Sequence, residues 1–307
     1  PEGDLPADTP GVTEDTIRIG AISDRENPTV PLPTIGIQEA AEAFVEFCNE
    51  AGGINGRTIE LVTYDSGITQ TADVTKQACA DDLFALVGSG SVQDQLGIED
   101  REACGLPEIA AYSATVERAR SEDFFASVPG LSDTELNVGP CRWIAEQFPD
   151  AITKAAMVYT DLPAASDRGR QIVDACEEEA GFEYVVEASV PFGETNFGPL
   201  VSEMEAAGVR YLTGVSASSE TLAALDAMAD QGIELDVIDL GQQYYENVVA
   251  ESPAAEGAYV QSNTIPFTEA ADSPMLRLYQ RYLEQVDGKQ STLGVQGFSA
   301  GLLFATA

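Results

Sequence analysis

Histidine is absent from this 307-residue chain. That excludes the Ser-His-Asp and Cys-His nucleophile pairs. It also removes the commonest metal ligand and the side chain that switches charge near neutral pH. Cations are scarce as well: 15 Lys and Arg stand against 52 Asp and Glu, a formal net charge of −37. Lysine occurs only at Lys76, Lys154 and Lys289. Phosphate contacts need clustered Lys and Arg, so nucleic acid is excluded as a partner. An anionic membrane surface would repel the chain too. The acidic excess reads as a strongly solvated surface that maintains solubility, and a high-salt habitat selects the same composition. No run of about 18 apolar residues occurs, so no segment reads as a bilayer span.

Motifs for cofactors are missing too. There is no GxxxxGK[ST] and no GxGxxG, and no cofactor or metal is expected. Cysteines stand at 48, 79, 104, 141 and 176, and none forms a Cys-x-x-Cys pair. That spacing argues against zinc and thioredoxin-type chemistry. No signal-peptide pattern opens the chain; Pro1 to Thr16 is rich in Pro, Asp and Glu and reads as a tether or linker. The last residues run to Ala307 inside an apolar helical pattern. These two ends suggest a processed or truncated piece, with segments missing from both.

What is present is ample for folding. Hydrophobic residues make up 44% of the chain, and its length suits two domains of ordinary size. A β-like run over 16–23 is followed by a helix over about 34–51, whose Ile37, Ala40, Ala41, Phe44, Val45 and Cys48 recur at helical spacing. Gly52-Gly53 stops that helix, Asn55-Gly56 turns the chain, and 58–64 is the next strand. Helix 70–82, strand 84–88, helix 92–103, strand 106–111 and a short strand at 124–128 continue the alternation.

The rhythm then restarts. Helices over 133–148, 168–180, 195–207 and 219–231 precede strands 155–159, 183–190, 210–215 and 235–240. Strand and helix in strict alternation predict parallel sheets covered on both faces. The expected fold is therefore α/β, two doubly wound parallel-sheet lobes joined by a hinge. One lobe is expected to take residues 1–129 and 262–307, including helices 273–286 and 295–307; the other takes 130–261. In this arrangement Cys79 and Cys104 lie on consecutive helices of one lobe, and Cys141 and Cys176 on neighbouring helices of the other. Two disulfides are expected, with Cys48 free, as suits an oxidising compartment; the alternative is five reduced buried cysteines in a cytosolic protein.

Open parallel sheets bind ligands beyond the C-terminal ends of their strands. The loop after the third strand, Gly88-Ser-Gly-Ser-Val-Gln-Asp94, offers Ser89, Ser91 and Gln93, and runs into a helix start that suits an anion. Ser91 alternatively just caps that helix. The next loop supplies Tyr112, Ser113 and Thr115, whose hydroxyls either complete a polar cradle or stabilise a turn. In the second lobe the matching loops hold Asp161, then Ser216 and Ser218, then Gln242, Gln243, Tyr244 and Tyr245. Amides beside aromatic rings suit a ligand with an apolar body and polar ends. Arg25, after the first strand, is either a counter-charge or simply solvated. An enzyme reading would rest on carboxylates such as Asp161 and Glu246, but no paired motif supports it; the chain is expected not to be an enzyme.

Phe47-Cys-Asn-Glu-Ala-Gly-Gly-Ile-Asn-Gly-Arg-Thr-Ile-Glu-Leu-Val-Thr-Tyr-Asp65 resembles the first helix and second strand of the leucine/isoleucine/valine-binding protein family, type I periplasmic receptors of ATP-driven importers. The segment from Phe84 to Thr115 has that family's order of strand, Gly-Ser loop, helix, proline and Ser-Ala-Thr. Pro191 to Val201 looks like its stretch before the third helix of the second lobe. The resemblance implies an extracytoplasmic protein, free in the periplasm or lipid-anchored at the outer face of the cell membrane, that closes on a small molecule and hands it to the permease of an ABC importer. It implies a monomer and no chemistry on the ligand. A ligand-sensing receptor domain is the alternative on the same fold.

The resemblance also implies that Ser91, Ser113 and Thr115 clamp a ligand carboxylate, while an acid and aromatic hydroxyls of the second lobe meet the α-ammonium. Here that loop reads Gly241-Gln242-Gln243, Ser166-Asp167 replaces a Tyr-Gly pair, and Ser216 replaces an aromatic residue. Asp133 or Asp161 would have to balance an ammonium, because a neutral amide does not. The expected ligands therefore extend from amino acids to uncharged amides and small aromatic or aliphatic acids.

Overall fold

A computed structural model describes residues 9–25, 34–129, 131–132, 135–241, 247–262 and 264–307. Its elements run β1 (Thr16–Ser23), α1 (Ile35–Glu50), β2 (Thr58–Asp65), α2 (Thr71–Ala80), β3 (Ala85–Val87), α3 (Ile98–Cys104), β4 (Glu108–Ala110), α4 (Val116–Ala119) and β5 (Phe124–Ala126). They continue as α5 (Gly139–Gln147), β6 (Ala155–Thr160), α6 (Pro163–Ala180), β7 (Tyr184–Val190), α7 (Gly198–Ala207), β8 (Tyr211–Val215), α8 (Ser218–Asp230) and β9 (Val237–Asp239). The last are α9 (Asn247–Ala250), α10 (Pro274–Gln285) and α11 (Thr292–Thr306). The chain divides into two compact units; it leaves the first after Leu131 and returns to it at Thr264.

The first unit is a parallel sheet in the order β2-β1-β3-β4-β5. Ile17 and Ile19 of β1 pack with Phe44 and Cys48 of α1, and with Tyr279 and Phe298 of the C-terminal helices. Ile22 points to the other face, among Tyr64, Leu83 and Leu86. Both faces of β1 are thus buried from Ile19 to Ile22, which is why that stretch has no polar side chain. Helix α11 approaches α1 closely because Gly301 lies against Phe44: a Cβ there would stand 2.3 Å from the ring.

The second unit is a parallel sheet in the order β7-β6-β8-β9. All six residues of β6 are buried. Met157 and Tyr159 face Ile172, Val173 and Cys176, while Ala156 and Val158 face Val201, Met204 and Leu225. Two doubly wound parallel α/β units are the architecture that the alternation of elements predicted.

Several boundaries differ from those expectations. Helix α6 starts at Pro163, not at 168, and α5 at Gly139, not at 133; both have proline in the first turn, where the missing N–H costs nothing. The helix expected over 92–103 is split into a 3-10 turn, Asp94–Gly97, and α3. Strand β4 is confined to Glu108–Ala110, after Pro107. Among the described residues, no helix is long and apolar enough to cross a membrane.

Cys79 is bonded to Cys104, joining α2 to α3, and Cys141 to Cys176, joining α5 to α6; Cys48 is a buried free thiol. Each bridge staples neighbouring helices of one unit. Alkylation of the denatured, unreduced protein is expected to label one thiol, read by intact mass. Replacing Cys141 and Cys176 together with serine should cost roughly 4 kcal/mol in denaturant unfolding, the loop-entropy value for a bridge spanning 35 residues.

Candidate functional site

In the first unit the loops after β3 and β4 meet at the C-terminal edge of the sheet. Gly88, at φ +76°, turns the chain out of β3 in a conformation that favours glycine. The hydroxyl of Ser89 then accepts the Ile22 N–H at 3.1 Å, and its carbonyl accepts the Ala111 N–H at 2.8 Å. The ring of Tyr112 lies on Gly90, where a Cβ would come within 2.4 Å of it. Ser89, Ser91 and Tyr112 are all buried and together wall a small cavity, about 10 Å³, room for roughly one water. A solute of ordinary size would meet only its rim.

The other expected residues of this edge are engaged with the protein itself. Gln93 donates through Nε2 to the Ile68 carbonyl at 3.3 Å. The Ser113 hydroxyl accepts the Leu131 N–H at 3.4 Å. Thr115 donates its hydroxyl proton to Asp94 at 2.6 Å and accepts the Arg118 N–H at 3.3 Å, capping α4. Ser91 does not cap the turn that follows: the residue at that position is Gln93, with no side-chain cap. Arg25 is exposed, and its N–H donates to Asp65 at 2.9 Å.

Two buried carboxylates organise this edge, and neither was singled out from the sequence. Asp24 is wholly buried just beyond β1. It accepts the Ser66 hydroxyl at 2.6 Å, the Ile68 N–H at 2.6 Å and the Val92 N–H at 2.7 Å, so it joins the loops after β1, β2 and β3. Ile68 sits at φ +73°, which is costly for a β-branched residue, and its bond to Asp24 helps hold it there. Asp94, 5% exposed, accepts the Ala114 N–H at 2.6 Å on one oxygen and Thr115 on the other. Burial raises the pKa of Asp24, against the hydrogen bonds from Ser66, Val92 and Ile68. Burial likewise pushes Asp94 up to about 7, against its bonds from Thr115 and Ala114 and the nearby Arg118. The usable signal was an aspartate at the end of a parallel strand or its loop, beside backbone N–H groups that need acceptors.

Beneath the edge lies a buried ion triad. Glu108 of β4 pairs with Arg118, and with Arg101 Nε at 3.7 Å. Arg101 also donates to the Leu106 carbonyl at 3.0 Å and the Ser121 hydroxyl at 2.8 Å. Charges this deep persist only when paired and hydrogen-bonded.

The second unit repeats the device. Glu220, 2% exposed in the first turn of α8, accepts the Thr160 hydroxyl at 2.7 Å, the Gly193 N–H at 2.6 Å and the Ala217 N–H at 3.1 Å. It thereby joins the end of β6 to the loops after β7 and β8. Ser216 is hydrogen-bonded to the Thr221 hydroxyl at 2.8 Å and walls a cavity of about 20 Å³ with Thr213, Gly214 and Glu220. Asp161 is exposed and does not reach that cavity; its N–H donates to the Val190 carbonyl at 2.7 Å. Gln242, Gln243 and Tyr244, and also Asp133, lie outside the described residues.

A sequence profile of the periplasmic binding protein family matches residues 16–307. The chain belongs to that family. Among curated relatives, the Leu/Ile/Val-binding protein homolog 1 of Brucella melitensis is 28% identical over 235 residues, 72% of this chain and 60% of the relative. Homolog 2 of Brucella abortus is 24% identical over 229 residues, again 72% of this chain and 60% of the relative. This chain thus spans about 60% of the length of such relatives.

Solved structures share the fold. The branched-chain amino acid transporter substrate-binding protein LivJ of Streptococcus pneumoniae, in complex with isoleucine, superposes with a TM-score of 0.79 at 20% identity, covering 95% of this chain and 84% of LivJ. A fatty acid ABC transporter substrate-binding protein of Thermomonospora curvata gives 0.73 at 18% identity, covering 96% of this chain and 76% of that one.

For this periplasmic binding protein, the raised pKa of Asp94 has a defined consequence for stability. Between about pH 4 and 7 the folded state holds a proton that the unfolded chain has lost. The contribution is therefore fully present below pH 4 and lost as pH rises through 7, at about 1.4 kcal/mol per pH unit within that window. Asp94→Asn removes the charge and its titration. Urea unfolding should show the variant gaining on wild type from pH 5 to pH 8; a pH-independent difference would contradict the shift.

Proposed function

We propose that this protein is an extracytoplasmic solute-binding protein that closes on a small molecule and delivers it to the membrane permease of an ABC importer. The observation that carries this reading is the match of residues 16–307 to the periplasmic binding protein family. The polar edge of the first unit is consistent with it: Ser89 to Ser91 and Tyr112 to Thr115 stand at the C-terminal ends of β3 and β4, where open parallel sheets bind ligands. The protein contributes recognition and a change of conformation, not chemistry.

The ligand is an amino acid, an amide or a small aromatic or aliphatic acid. The names of relatives and neighbours support this range, since they include Leu/Ile/Val-binding homologues, an isoleucine complex and a fatty acid carrier. Within the first unit, Ser91, Tyr112 and Ser113 are the proposed ligand contacts. Ser89, Gln93 and Thr115 hold the loops that carry them. In the second unit Asp161, Ser216, Gln242, Gln243 and Tyr244 remain the proposed contacts, with the Gln pair favouring a neutral or weakly polar ligand end.

Calorimetric titration of ligand-stripped protein with leucine, then with simple amides and aromatic carboxylates, tests the reading. One of these classes is expected to bind. Ser91→Ala and Gln242→Ala should each weaken that ligand about tenfold, the scale of one hydrogen bond to a charged or buried group, without lowering the unfolding temperature. Wild-type affinity in both variants would remove these two residues from the site.

A further inference from the structure

Tyr112 and Ser113 are suspended between two anchors. On one side, the pairing of β3 with β4 ends where the Ala111 N–H reaches the Ser89 carbonyl at 2.8 Å. On the other side, the Ala114 N–H and the Thr115 hydroxyl both end on Asp94, each at 2.6 Å. The position of the two intervening side chains is therefore set from both ends.

The second anchor has a rigid base. Asp94 opens the 3-10 turn Asp94–Gly97. That turn lies hard against α2, for a Cβ at Gly97 would stand 2.5 Å from the Thr75 hydroxyl. Helix α3 follows directly, and its Cys104 is disulfide-bonded to Cys79 of α2. The carboxylate thus projects from a platform fixed sterically and covalently, and the loop after β4 hangs from it.

We propose that Asp94 is a positioning residue of the ligand site: it holds Tyr112 and Ser113 in register with Ser89–Ser91 by accepting Ala114 and Thr115 together. This rests on the reading of Tyr112 and Ser113 as ligand contacts, but the bracket itself is a property of the ligand-free protein. Asparagine at this position retains the geometry, because its oxygen accepts the Ala114 N–H and its amide donates to the Thr115 hydroxyl, which then turns round. Alanine removes both bonds and leaves two donors unsatisfied.

Amide hydrogen exchange on the ligand-free protein reads the bracket directly. Asp94→Ala should exchange at least tenfold faster than wild type across residues 112–115, with β6 of the second unit unchanged. Asp94→Asn should return that segment to within about threefold of wild type. Thr115→Val, which removes one arm only, should fall between them, and it serves as the test if the alanine variant does not fold. Exchange at 112–115 within twofold of wild type in Asp94→Ala, or in Thr115→Val where that variant replaces it, overturns the proposal. So does Asp94→Asn exchanging as fast as Asp94→Ala. Calorimetry with leucine on the same variants should show the alanine variant at least tenfold weaker and the asparagine variant near wild type. If leucine gives no heat even with wild type, leucine is not the ligand, and the exchange rates alone decide whether Asp94 is the bracket.

Discussion

A buried carboxylate that accepts loop N–H and hydroxyl donors is the interaction on which the C-terminal sheet edge of each unit depends. Loops at the C-terminal ends of parallel strands carry donors with no partner in the sheet. Asp24 collects three of them, Asp94 two and Glu220 three, all at 2.6 to 3.1 Å. Burying an ionised carboxylate is costly, and short charge-assisted bonds offset that cost. For Asp94 the bonds offset burial only in part, so the carboxyl keeps its proton up to about pH 7 and carries its charge above that. The same solution occurs in both units, with an aspartate after β1 and β3 in one and a glutamate in the first turn of α8 in the other.

That constraint shapes what the edge can offer a ligand. A threonine hydroxyl has one proton, and the proton of Thr115 goes to Asp94. Ser89 is tied to β1 through Ile22, and Gln93 to the loop after β2 through Ile68. These residues shape the loops, while Ser91 and Tyr112 wall the cavity between them. The ion triad of Arg101, Glu108 and Arg118 supports β4 from below, two guanidinium groups sharing one carboxylate, in a chain whose overall balance is −37.

The readable parts of the fold were those with a strong local pattern. Ile37, Ala40, Phe44 and Cys48 of α1 recur at helical spacing, and all four are buried. The cysteine pairing followed from which helices would be neighbours, and Cys79–Cys104 and Cys141–Cys176 are bonded accordingly. Misjudged boundaries had local causes. Pro140 and Pro163 sit in the first turns of α5 and α6, a start signal that periodicity alone overlooked. At the split, Gly97 packs against Thr75, a residue more than twenty positions away, a contact that no local pattern reports.

By itself the sequence determined the class of architecture, because alternating apolar strands and amphipathic helices of these lengths bury their faces in few other ways. Its lack of histidine also excluded histidine chemistry. It placed Ser89, Ser91, Tyr112, Ser113 and Thr115 on loops at the C-terminal edge of the first sheet, since loop position follows from strand order. What each hydroxyl does there was decided only by tertiary structure. A hydroxyl looks the same in a sequence whether it faces a ligand or a carboxylate, and the partners here, Thr115 with Asp94 and Ser66 with Asp24, are separated by 21 and 42 residues.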